Sequence, residues 1–152
     1  MLAVSCFNEK QVIICNVDIK TRTKTIKQTF KNKESPTFLY QIDAETLLVG
    51  NVSGKFEIWN IDHNLEEPEL SKEIDSHPGS ETGISNIIKL VDPSPMIVGD
   101  KVSEDTEILV SSAADQADIV IWRLEKKSNG KNQLNSYIKI NTSFNDGIKY
   151  IL

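Results

Sequence analysis

The sequence predicts an all-β fold built from stacked, repeated four-stranded units. A strand–turn–strand segment recurs three times: LAVSCFNEKQVIICNV (2–17), LLVGNVSGKFEIWNI (47–61) and ILVSSAADQADIVIWRL (108–124). Each copy closes on a hydrophobic stretch with Cys15, Trp59 or Trp122 at the same place. Between the copies lie short runs that alternate apolar and polar residues, as half-buried strands do. One such unit cannot bury its own faces, so repeats of this kind must stack on their neighbours.

The elements follow in order. The first hairpin turns near Asn8–Lys10, which does not set Cys6 and Cys15 opposite each other. Both are expected as free thiols in a reducing compartment. TKTIKQTF (23–30) alternates and is expected to form an outer strand. PTFLYQI (36–42) is more continuously apolar, as a strand buried on both faces would be. The second hairpin follows, and then the acidic stretch HNLEEPELSKEIDSH (63–77), a solvated connection plus an outer strand. SNIIKLV (85–91) occupies the place of PTFLYQI in the next unit. Ile84, Ile87, Ile88 and Val91 also fit the spacing of a helix face. The repeat context favours a strand, and Gly83, Pro93 and Pro95 would keep any helix short. DPSPMIVGDKVSEDTE (92–107) carries two prolines and five acids and reads as a long surface loop, 92–106. After the third hairpin, QLNSYIKIN (133–141) repeats the alternating type and GIKYIL (147–152) the buried type.

Cys15 and Trp59 are 44 residues apart, and Trp59 and Trp122 are 63 apart. A blade of the WD40 type takes about 40–45 residues, so the second spacing implies an insertion of about twenty. Four antiparallel strands per repeat describe a propeller blade. On these residues the chain resembles a WD40-repeat protein with degenerate motifs. The Trp-Asp that ends the family's repeat is represented by Trp59-Asn60, Trp122-Arg123 and Cys15-Asn16, and its Gly-His by Ser76-His77. The family's tight-turn Asp has Asp115 as its nearest match, with Ser53 and Glu9 near that place in the other units.

The resemblance implies a partial WD40-like propeller over residues 1–152. It would comprise an incomplete blade (1–30), a blade (36–75), a blade with the inserted loop (84–141) and the first strand of a further one (147–152). Propellers have typically 4–8 blades, so these repeats are expected to be a piece of a longer propeller. The resemblance also implies a structural hydrogen-bond chain in the third repeat. The Trp122 indole would donate to Ser111 or Ser112, that hydroxyl would reach His77, and Asp115 would hold His77. Cys15, Trp59 and Trp122 are the expected core positions of the repeat ends.

Composition narrows the function. With 17 basic and 22 acidic residues the net charge is −5, which disfavours nucleic acid and anionic membranes as partners. No apolar run approaches the roughly 20 residues of a membrane helix, so no membrane insertion is expected. Two histidines and two cysteines lack zinc spacing, and the glycines form no phosphate loop, so no cofactor is expected. The buried-type strands offer Tyr40, Gln41, Lys89, Lys149 and Tyr150 but no acid, which argues against a propeller enzyme.

Two segments are candidates for partner binding. Lys20, Arg22, Lys24, Lys27, Lys31 and Lys33 occur without an intervening acid and could form a docking stripe or simply guard an exposed edge. The loop contributes Asp92, Asp100, Glu104 and Asp105. The expected function is a non-enzymatic scaffold for other proteins of a large cytosolic or cytoskeletal assembly. By family analogy that extends to a ciliary axoneme, with tubulin or axonemal proteins as partners. A peptide-recognition propeller module is the alternative.

Overall fold

A computed structural model describes residues 1–62, 64–90, 106–126 and 132–142, and among these described residues eleven antiparallel strands account for the regular structure. They form three sheets whose strands are neighbours in the order in which they occur in the chain. The first sheet holds β1 (Leu2–Cys6), β2 (Gln11–Asp18) and β3 (Thr23–Lys31). The second holds β4 (Pro36–Gln41), β5 (Thr46–Asn51), β6 (Lys55–Asn60) and β7 (Glu69–Asp75). The third holds β8 (Ile84–Lys89), β9 (Thr106–Ala113), β10 (Asp118–Glu125) and β11 (Gln133–Asn141). The chain divides into two compact units, Met1–Ile84 and Ser85–Leu152. No helix among the described residues is long and apolar enough to cross a membrane.

The repeat seen in the sequence is present in the strand register. Cys15 pairs with Leu2, Trp59 with Leu47, and Trp122 with Leu109. Each hairpin meets its next strand with a register shift at one shared place, between Ile14 and Cys15, Ile58 and Trp59, and Ile121 and Trp122. There the next strand skips one residue, respectively Lys27, Ser71 and Tyr137. A bulge that recurs at one repeat position bends and twists each sheet at the same place.

In the first unit the sheets pack face to face. Val12, Ile14 and Phe30 of the first sheet meet Leu47, Val49, Trp59 and Ile61 of the second, with Ala3 and Leu39 at the margin. Phe30 and Trp59 lie with ring centroids 4.3 Å apart and planes tilted by 34°. Burying side chains of this size stabilises by about 1.5–3 kcal/mol each. In the second unit Ile108, Val110 and Ile121 form a core with Ile88, Leu90 and Ile119 packed against it.

Ile84–Lys89 is a strand, so the strand reading of that segment holds over the helical spacing. The expected burial of PTFLYQI needs correction. β4 is mostly half-buried, whereas all six residues of β5 are buried. The reason is position: β4 is an edge strand, and β5 has a neighbour on each side. The loop 92–105, with Asp92, Asp100, Glu104 and Asp105, and the segment 147–152 lie outside the described residues.

Candidate functional site

Trp59 and Trp122 occupy one repeat position, and both bury an indole whose N–H must find an acceptor. Trp122 Nε1 donates to Ser111 Oγ at 2.8 Å, across the β9–β10 pairing. This is the first link of the expected chain, and Ser111 supplies it. Ser112 stands 3.2 Å from the Ser85 hydroxyl instead, and Ser85 Oγ also donates to the Ser112 carbonyl at 3.1 Å. Asp115 is exposed in the β9–β10 turn. His77 is fully buried and belongs to the first unit, while Ser111, Ser112, Asp115 and Trp122 belong to the second.

The first unit solves the same problem with residues that the sequence patterns did not single out. Trp59 Nε1 donates to Glu57 Oε2 at 3.0 Å, and Asn32 Nδ2 donates to the same oxygen at 2.6 Å. Asn51 Nδ2 donates to Glu57 Oε1 at 3.1 Å. Glu57 is buried, and its two oxygens take three N–H donors. Asn32 follows β3, and its backbone N–H is held by the Lys10 carbonyl at 2.7 Å. Glu57 therefore ties the first sheet to the second. The signal was present in FEIW, where an acid stands at the strand position that Ile13 and Val120 fill in the other repeats.

Asn51 also organises the β5–β6 turn, the place where Ser53 was the expected match. Its Oδ1 accepts from the Ser53 N–H, the Ser53 hydroxyl and the Lys55 N–H. Gly54 completes the turn at φ 74°, and its carbonyl accepts the N–H groups of Ser76 and His77 at 3.1 and 2.8 Å. A Cβ there would run into the His77 carbonyl, so glycine is required both by conformation and by space.

The basic segment splits in two. Lys33 is spoken for: its ammonium lies 2.7 Å from Glu73 on β7. That hydrogen bond raises the Lys33 pKa above 10.5 and lowers that of Glu73 below 4.5. Lys20, Arg22, Lys24, Lys27 and Lys31 are exposed along the β2–β3 turn and β3. Asp18 holds that turn by accepting the Lys20 and Thr21 N–H groups at 2.8 and 3.2 Å, and these bonds lower its pKa. Arg22 adopts φ 55°, a left-handed conformation that costs a non-glycine residue energy.

In the second unit Glu107 pairs with two cations, the Lys89 and Lys126 ammonium groups each at 2.7 Å. Partial burial disfavours its charged form, but hydrogen bonds from Lys126 and Lys89 outweigh that and hold its carboxyl below the usual range.

No protein-family model matches the chain, and no curated protein matches it in sequence.

Proposed function

We propose that this chain is a set of WD40-like propeller blades acting as a non-enzymatic scaffold. The exposed cations of β3 and its preceding turn would dock an acidic protein segment of a large cytosolic or cytoskeletal assembly. The observation that carries the reading is the shared register: three meandering antiparallel sheets with a bulge just before Cys15, Trp59 and Trp122. Rigid sheets with a repeated geometry hold surface side chains at fixed spacing, which suits docking. Lys20, Arg22, Lys24, Lys27 and Lys31 line one strand and its turn, and Lys33 is already neutralised within the fold. An acidic segment such as a tubulin tail has the complementary charge.

The test is binding of a fluorescein-labelled oligoglutamate peptide to the full chain at low and high salt. A variant with Lys20, Arg22, Lys24, Lys27 and Lys31 all changed to Glu is the comparison. The expected result is salt-sensitive binding that the variant loses. Equal binding by both proteins, or none by the parent chain, would remove the docking role.

A further inference from the structure

The hairpin of β2 and β3 runs past the contacts that anchor it. One end is fixed: the Asn32 N–H meets the Lys10 carbonyl, the Asn32 amide bonds Glu57, and Lys33 pairs with Glu73. Val12, Ile14 and Phe30 supply the packing on the second sheet. Beyond them every residue from Asn16 to Lys27 is exposed, on both faces of the two strands. The register sets Asn16 opposite Thr25, Val17 opposite Lys24 and Asp18 opposite Thr23. Residues 16–31 hold five cations, Lys20, Arg22, Lys24, Lys27 and Lys31, with Asp18 as their one acid. Thr21, Thr23 and Thr25 alternate with the first three of those cations.

The three hydroxyls are not equivalent. Those of Thr21 and Thr23 lie 2.8 Å apart and hydrogen-bond each other. The Thr21 N–H is also held by Asp18, and Thr23 stands across from that same residue. A phosphate on either would meet a like charge. Thr25 instead faces the neutral Asn16, and it follows Arg22 by three places and Lys24 by one. The other arginine, Arg123, has Lys126 three places on, so Thr25 alone carries this spacing. Protein kinases that select basic substrates read such cations with carboxylates beside the cleft, and arginine fits a carboxylate bidentately. The substrate segment must also be able to open. β3 has a neighbour on one side only in its sheet, and Arg22, at φ 55°, sheds left-handed strain when its backbone extends.

We propose that Thr25 is a phosphorylation site for a basic-directed serine/threonine kinase, and that its phosphate releases an acidic partner from the cationic stripe. In the transfer, Thr25 Oγ1 forms a bond to the γ-phosphorus of ATP. The bond from that phosphorus to the β–γ bridging oxygen breaks and ADP leaves, while the hydroxyl proton passes to the kinase's catalytic carboxylate. The phosphate brings a charge of about −1.5 to −2 at pH 7. Against five cations and one acid, that removes about half of the local net charge. Its oxygens also compete for Arg22, Lys24 and Lys27, the cations nearest in sequence, which the partner then loses. Release of the partner rests on the docking reading; the phosphate acceptor at Thr25 does not.

To test this, the full chain is incubated with MgATP and the catalytic subunit of cyclic-AMP-dependent protein kinase, and the phosphate is located by mass spectrometry. One phosphate, on Thr25, is expected. Arg22→Gln should slow its incorporation at least about tenfold, with Arg22→Lys in between. Arg22 is exposed, so far-UV circular dichroism should not change. Phosphate mainly at another residue, incorporation only after denaturation, or equal rates for the Arg22 variants would overturn the site. The same phosphopeptide should be recovered from cells that make the protein when phosphatases are inhibited; its absence there would also overturn the site. Phosphorylated and unmodified chains are then compared for binding to fluorescein-labelled oligoglutamate. Phosphorylation should weaken binding at least about fivefold at low salt. Equal binding by the two forms would overturn the release while leaving the docking reading standing. If neither form binds, docking and release both fail, and the position of the phosphate still decides the Thr25 site.

Discussion

Trp59 and Trp122 bury one indole at one repeat position, and the two units satisfy it by different means. In the second unit the bond from Trp122 to Ser111 stays within one sheet, between neighbouring strands. In the first unit the bond from Trp59 ends on Glu57, which also receives Asn32 from the end of the first sheet and Asn51 from the β5–β6 turn. The Ser111 bond joins two neighbouring strands, and the Glu57 carboxyl gathers donors from two sheets on its two oxygens. The repeat conserves the need of the indole, and the acceptor decides how far the resulting network reaches.

That difference predicts the largest effect. Glu57→Ala leaves three buried N–H donors without an acceptor, and stability should fall by about 3–5 kcal/mol. Hydrogen exchange should accelerate in β2 and β3 as well as in β6, because Asn32 loses its anchor. Faster exchange confined to β6 would mean that Glu57 does not tie the sheets together. Gly54→Ala comes next, at about 2–3 kcal/mol, through left-handed strain and the clash with the His77 carbonyl. Gly79 has a similar φ of 82° but open space around it, so Gly79→Ala should cost only about 1 kcal/mol. Chemical denaturation of the two variants separates strain from collision, and equal losses would show that the collision is relieved.

Ser111→Ala should cost about 1–2 kcal/mol by stranding the Trp122 N–H. Hydrogen exchange should accelerate in β9 and β10. Adding Trp122→Phe to Ser111→Ala tests the pair directly. A coupling of about 1 kcal/mol is expected from the double-mutant cycle, and additive losses would show that the hydrogen bond contributes nothing.

Much of the strand layout was legible in the sequence. The hairpins at 2–17, 47–61 and 108–124 and the outer strands at 23–30 and 133–141 follow from period-2 alternation, because one face of each meets a core. The depth of burial was not legible for β4. An apolar run does not reveal whether its strand lies at the edge or in the centre of a sheet. The acceptor of Trp122 was legible only to within two residues: the resemblance to WD40 repeats implied Ser111 or Ser112, and the fold places the bond on Ser111. Glu57 was not, because its partners Asn32 and Asn51 are brought together only by the packing of two sheets. The exposure of the first sheet could not be read from alternation either: Leu2, Val4 and Val17 look like core residues in sequence but are 50%, 41% and 48% exposed.

The smallest effect concerns acidity, and it again separates the units. Glu107 sits partly buried between two lysines, while Glu73 faces Lys33 at the surface. Both carboxyls have lowered pKa values in the folded chain. A lowered carboxyl pKa stabilises the fold above the unfolded value, near 4.5, and that contribution disappears as the pH falls through the folded value. Lys33, whose pKa is raised, keeps its contribution until the pH climbs past 10.5. Replacing Glu107 with Gln should therefore cost about 1 kcal/mol at pH 7 and almost nothing below pH 3. Salt should reduce that cost less than it does for Glu73, because the Glu107 carboxyl is partly buried and screening is weaker there. Replacing Glu73 with Gln should cost less at pH 7, and added salt should erase the difference. The measurement is hydrogen exchange in β9 and in β7, each followed across pH with and without added salt. If both contributions vanish in salt, Glu107 is as well solvated as Glu73, and burial does not distinguish the two units in their ion pairs.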